Sequence, residues 1–344
     1  MKVPALLALL FLVPSAPGAT AATADAIAAD PPAAIRPYIK EGGRYDPGDY
    51  GWMRGRFAGA TAAERQTFAE VMSWADLCRR EAVQELGADL TAAGYPGVKV
   101  EELVTGPLVC RQVLWLPPFD SGRSFVEFAR AEAQAAPIAA TFLTAVRLAE
   151  MAAAARSPAM AERLPAQTIA DQMLRYGTMW GTGTMGDAPP LSPEIQGLVV
   201  ARIGVALTET DTINTAFLKS EIPAGTWPKR SEVGASAASA AWLLVQHADA
   251  DPLFQLNVLH RMEPLVPAGE VLGSDYALLY DRVMLKLVGR QRYGTQFTCT
   301  AGRRAPQPLE DENAVARWRA SAGLDTLAEN TARIEQMYGP CPPG

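Results

Sequence analysis

Apolar residues in the first half of the chain recur at helical steps. Phe68, Val71, Met72, Ala75 and Cys78 are three or four positions apart, which predicts a helix from Ala62 to about Ala93. Gly94, Pro96 and Gly97 end it. Val98 to Leu116 is a short apolar run that fits strand or helix, and Pro117-Pro118 and Ser121-Gly122 break the chain after it. Phe125 to about Ser157 is alanine-rich and helical, with Pro137 as a bend point. Pro165 to about Trp180 predicts another helix, with the proline in its first turn, where a missing N–H costs nothing. The Gly/Pro-rich stretch from Gly181 to Pro190 is the expected boundary with a second region.

Beyond it, Ser192-Pro193 starts a helix to about Leu207, and Asp211 caps a second through Leu218. Gly225-Thr226-Trp227-Pro228 is a turn, after which Ser231 caps a helix reaching His247. Asp251-Pro252 opens a helix to about Leu265, and Ser274 one to about Val288. Residues 290–300 read as extended, because Thr295, Phe297 and Thr298 favour strand, and helices follow near 311–321 and 324–338. The expected fold is mainly α. A multi-helix, bundle-like C-terminal domain (190–340) carries a small β-hairpin near 290–308 and follows a helical N-terminal part (61–185).

Charge narrows the function classes. A net charge of −6 over 344 residues, with no basic block, excludes a nucleic-acid footprint and a polybasic membrane anchor. The N-terminus has the form of an export signal over residues 1–21. Lys2 precedes the apolar run Ala5–Val13, and Ala19-Thr20-Ala21 fits small-x-small cleavage. That run is far short of the roughly 20 residues that span a bilayer, so no transmembrane anchor is expected. Residues 22–60 form a loop-rich leader, in which Tyr45, Tyr50, Trp52 and Phe57 pin the chain onto a core. Export makes the protein periplasmic or secreted, an oxidising setting in which Cys78, Cys110, Cys299 and Cys341 form disulfides. Three pairings exist, and that of sequence neighbours, Cys78 with Cys110 and Cys299 with Cys341, is expected. Joining sequence neighbours closes loops of about 30 to 45 residues, each contributing roughly 3.5–4 kcal/mol in the chain-entropy account.

The candidate chemistry lies between Ala235 and Gln296. The helix before His247 is apolar all round, as in a buried helix, and leaves Gln246 and His247 at its C-terminal end. There His247 serves as acid, base or ligand, or simply as a cap. Asp251 before Pro252 is an N-cap. Asp249, in the gap between helices, is free to orient the imidazole. Asp281 and Arg282 fall in a helix with little polar surface, so each needs a partner. Being adjacent, they face different ones, with His247, Asp249 and Gln296 as candidates. Gln291-Arg292-Tyr293-Gly294-Thr295-Gln296 adds polar groups around a glycine, and Gln255 follows in the intervening helix. His247, Asp249 and Asp251 are too close in sequence for a plausible metal geometry, so no metal and no cofactor is expected. Gly234-Ala235-Ser236-Ala237-Ala238 misses the serine-hydrolase elbow, and no phosphate loop, dinucleotide fingerprint or HExxH occurs.

One combination is more specific than its parts. Trp227-Pro228, Ser231 with Val233-Gly234, Gln246-His247-Ala248-Asp249, Phe254-Gln255, Ala277-Leu278-Leu279 with Asp281-Arg282, Gln291 with Tyr293-Gly294-Thr295-Gln296, and Gly323-Leu324 together resemble a bacterial domain of unknown function, number 6624, over about residues 190–340. The resemblance implies a mainly helical domain, often exported, and carries no catalytic roles with it. Three functions stay open. The first is binding of a small molecule or envelope component by a polar pocket of His247, Asp249, Arg282 and Tyr293, with Gln246, Gln255, Gln291 and Gln296 as further candidates. The second is a hydrolase with His247 as general acid or base, Asp249 or Asp281 orienting it and Arg282 holding an anion. The third is a purely structural cluster.

Overall fold

A computed structural model describes residues 30–99, 103–153, 159–180, 189–300, 302–339 and 341. The export-signal residues 1–21 and most of the Gly181–Pro190 stretch lie outside the described residues.

The fold is mainly α. In chain order the helices are α1 (Ala62–Ala92), α2 (Leu108–Val113), α3 (Phe125–Ala153), α4 (Met160–Met179), α5 (Pro193–Glu221), α6 (Arg230–Val233), α7 (Ala235–Gln246), α8 (Pro252–Met262), α9 (Gly273–Val288), α10 (Val315–Ser321) and α11 (Leu327–Tyr338). The hairpin is β1 (Phe297–Thr300) with β2 (Arg303–Pro306), antiparallel, with Phe297 opposite Pro306. Thr61 begins α1 with a capping box to Glu64, and Thr326 does the same for α11 with Glu329.

Several boundaries differ from the sequence expectation. α4 begins at Met160, so Pro165 lies inside the helix rather than in its first turn. α5 runs unbroken to Glu221, and Asp211 is an interior position rather than a cap. The expected Ser231–His247 helix is broken at Gly234, whose φ of 84° no helix accommodates. Ser231 is then inside the short α6, where its N–H and hydroxyl donate to Glu270.

Two apolar cores organise the packing. One joins Tyr45, Tyr50, Trp52, Phe57, Phe128 and Ile203, among others, and the other gathers α7, α8 and α9 around Leu244, Leu259 and Leu279. Helices α1, α4 and α5 reach into both. Cys78, Leu174 and Ile203 belong to the first core, and Leu90, Leu164 and Leu218 to the second. An open seam between the cores is where a cleft forms. Two disulfides join Cys78 to Cys110 and Cys299 to Cys341, which is consistent with an oxidising, extracytoplasmic environment. The first ties α2 to α1, the second the hairpin to the chain end. Helix α3 is long and apolar enough to cross a membrane by length and composition. It nonetheless places Phe128, Ala131, Ala135 and Ala139 in the core and pairs Glu132 with Arg202 of α5, so no transmembrane anchor is indicated among the described residues.

Candidate functional site

His247 ends α7, and its backbone N–H caps that helix on Leu244 and Val245. Its ring reaches across to α4. Nδ1 lies 2.8 and 3.0 Å from the two carboxylate oxygens of Asp171, a residue with no exposed surface. Arg175, one turn further along α4, brings Nε to 3.4 Å from Asp171 and Nη2 to 2.6 Å from Asp211 on α5. Arg175 Nε is also 3.0 Å from His247 Nδ1. A ring nitrogen cannot donate to a carboxylate and accept from a guanidinium at once. The buried anion is the stronger partner, so Nδ1 carries the hydrogen and donates it to Asp171.

Electrostatics agree with that assignment. Burial holds the His247 pKa below its usual value, and the Arg175 and Arg282 charges push the same way against Asp171. Burial alone would raise Asp171, but His247, Arg175 and Gln172 outweigh it and keep the carboxyl below the ordinary range. At neutral pH the pair is therefore a carboxylate and a neutral imidazole. Among the described residues nothing bonds Nε2, and His247 lines a cleft. Burial pushes the Asp211 carboxyl up to about 7, with Arg175 opposing it and Asp171 and Asp249 adding to it.

The cleft has a volume of about 630 Å³ and includes His247, Arg175, Asp211, Asp249 and Lys219 in its wall. The N-terminal half contributes Leu86 of α1, Arg111 of α2 and Trp115 to the lining.

Asp249 takes a different partner from the one expected. It does not orient His247. Its carboxylate accepts from Arg282 Nε at 2.9 Å, from Arg282 Nη2 and from Lys286. Burial opposes its ionisation, but Arg282 and Lys286 prevail and hold it far below the usual carboxylate range. Gln255 locks this group to α7. Its Oε1 accepts from Lys286 at 2.9 Å, and its Nε2 donates to the Val245 carbonyl at 2.9 Å. Gln246 is buried at the end of α7. Asp251 caps α8 by accepting from the Phe254 N–H at 2.9 Å, and it pairs with Lys219.

Asp281 belongs to a separate cluster. Its carboxylate accepts the backbone N–H groups of Arg292, Tyr293 and Thr295 at 2.8, 2.9 and 2.8 Å. Gln291 Oε1 accepts from the Gln296 N–H, and its Nε2 donates to the carbonyls of Gln296 and Gln307. Arg319, also buried, donates to the Tyr293 carbonyl at 2.6 Å and to Asp325. Gly294 sits in this loop at a φ of 66°, within 2.9 Å of Leu327 for any added Cβ, so only glycine fits without strain. Tyr293, Gln291 and Gln296 thus hold a loop together and are not brought to His247.

The groups missed by sequence reasoning are Asp171, Arg175 and Asp211. Asp171 stands seven positions after Leu164 and three before Leu174, so a charge occupied the apolar face of α4. That pattern was the available signal. Oxygen and nitrogen atoms of Asp171, Asp211 and His247 lie within 4.8 Å of one another and could approach a single ion. The Arg175 guanidinium, however, already bridges them, and Nδ1 is committed to Asp171. The donor set fits an ion only if Arg175 moves away, so these residues are better described as an ion-pair network than as a metal centre.

The profile of a family of unknown function, DUF6624, matches residues 158–341. The chain belongs to that family. The DUF6624 match begins at the foot of α4, so Asp171, Arg175, Asp211, His247 and Asp249 all fall within it, while Arg111 and Trp115 precede it. No curated protein and no solved structure matches the chain.

Proposed function

We propose that the protein is exported and that its cleft binds a small polar ligand, with His247 Nε2 as the group that meets it. The signal-like N-terminus and the two disulfides support export to the periplasm or beyond. One observation carries the binding reading. A fully buried carboxylate fixes the tautomer of an imidazole on the wall of a 630 Å³ cleft, and the other ring nitrogen has no hydrogen-bond partner among the described residues. A small-molecule library screened by melting temperature tests it, because a ligand that prefers the native state raises the midpoint. A hit should stabilise the wild type and lose about tenfold or more in affinity in His247→Gln. A hit equally strong in both proteins would place the ligand elsewhere.

A second reading, hydrolysis, is favoured by the same Asp171–His247 contact with an acid titrating near 7 beside it. The threonines on the cleft wall donate to backbone carbonyls, Thr208 to Gly204, Thr212 to Thr208 and Thr215 to Asp211. Water activated by Nε2, rather than a hydroxyl side chain, would then be the nucleophile. Turnover of a library hit, abolished in His247→Gln, would favour this reading over binding alone.

A further inference from the structure

The cleft wall also holds a cation that has no ion-pair partner among the described residues. Arg111 leaves α2 immediately after Cys110, whose disulfide to Cys78 fixes that short helix against α1. Its Nε donates to the Gly106 carbonyl at 2.9 Å and its Nη2 to Thr212 Oγ1 at 2.6 Å. Thr212 in turn donates its hydroxyl hydrogen to the Thr208 carbonyl at 2.8 Å, so its lone pairs are free to accept. Among the described residues no carboxylate forms an ion pair with Arg111. Burial lowers its pKa, and Asp211 supplies only a longer-range attraction.

A guanidinium has five N–H groups, of which two are used here. Those left are both hydrogens of Nη1 and one of Nη2. One hydrogen from each of these two nitrogens can donate to two oxygens of a planar or tetrahedral anion. A partly buried arginine held by neutral acceptors lacks the counter-charge that such a group ordinarily has. The half-exposed indole of Trp115 and the side chain of Leu86 line the same cleft and provide an apolar wall.

We propose that Arg111 is the anion-receiving end of the cleft, and that the ligand carries an oxyanion, carboxylate or phosphate, on a small apolar body. This rests on the cleft being a ligand site. It assigns to the N-terminal half, outside the family match, the choice of ligand charge, while His247 contacts the ligand from the family domain.

Calorimetric titration of the disulfide-intact protein with benzoate, phenyl phosphate and uncharged benzamide tests it. The expected result is that at least one anion binds about tenfold or more tightly than benzamide. The tighter of the two names the oxyanion. Arg111→Gln should weaken the anions about tenfold or more while leaving benzamide unchanged, and Arg111→Lys should fall between because it keeps charge without the paired donors. Melting temperature monitors folding, and if Arg111→Gln is unstable the lysine variant carries the comparison. The proposal is overturned if neither anion binds, if benzamide binds as well as both anions, or if the arginine variants bind anions like the wild type. In any of those cases the cleft reading stands separately as long as a library ligand still depends on His247. Loss of that dependence, with the anion effect of Arg111 intact, would instead remove the role given to His247.

Discussion

Among the described residues, the clusters of buried charge around Asp281 and around His247 differ in what satisfies them. Around Asp281 the partners are largely backbone: three N–H groups on the acid, and carbonyls of Tyr293 and Asp325 on Arg319. Around His247 the partners are side chains from α4, α5 and α9, and the cluster opens on a cleft. A charge saturated by backbone holds a loop in one conformation and has little left to offer a ligand. A charge balanced by other side chains can be rebalanced when something enters. The two clusters look alike in sequence, since both are polar residues inserted in apolar helices. Their difference lies in the partner atoms.

The comparison is broken most directly through the scaffold. Asp281→Ala leaves one buried and two part-buried N–H groups without an acceptor, and the loss of stability should be about 3 kcal/mol. Arg319→Met should cost a similar amount, because the Tyr293 and Asp325 groups it bonds lose their donor. Urea denaturation measures both. Neither change should alter ligand affinity in whatever fraction stays folded. A loss below about 1 kcal/mol for Asp281→Ala would mean that the loop has other support and that the backbone-saturated class is mislabelled.

Asp249 tests the side-chain class at intermediate size. Its side chain is 37% exposed, so water screens its pairing with Arg282 and Lys286. Asp249→Ala should therefore cost less than the scaffold changes, about 1–2 kcal/mol, with the two cations left facing each other. Adding Lys286→Met should recover part of that loss, because it removes the repulsion. Additive losses in the double variant would show that Asp249 and Lys286 do not couple.

The sequence made the fold class legible because amphipathic spacing and caps are local signals. The helices at Ala62–Ala92 and Gly273–Val288, the hairpin at Phe297–Pro306 and both cysteine pairs follow from residues close together in the chain. The site was legible only in part. His247, Asp249 and Arg282 stood out as polar residues in apolar surroundings. That Asp171, 76 positions before His247, is the carboxylate that orients it depends on how α4 packs against α7, and spacing holds no record of that. Proximity in sequence pointed instead to Asp249, which the nearer cations of α9 take. The amides of the Gln291–Gln296 segment fit pocket lining and loop support equally in sequence, and tertiary structure gives those of Gln291 to the backbone of its own loop and of Gln307.

The smallest expected effect concerns one proton. The chain has two histidines, so the imidazole nitrogens of His247 and His260 can be separated by nitrogen-detected NMR after a single His260→Gln substitution. His247 should be neutral at pH 7, with hydrogen on Nδ1 and a bare Nε2, and should protonate below its usual value because burial and the neighbouring arginines disfavour the cation. The stability consequence has a definite sign. The unfolded chain takes up its proton near pH 6.5 and the native protein does so at lower pH, so stability present above 6.5 is lost as pH falls through that window. His247→Gln should flatten this part of the stability profile while scarcely changing stability at pH 8. Asp171→Asn should shift the hydrogen between the ring nitrogens, since an amide can donate to Nδ1 where the carboxylate can only accept. An imidazolium at pH 7 in the wild type would put hydrogens on both nitrogens, remove the lone pair on Nε2, and move this cluster into the same saturated class as Asp281.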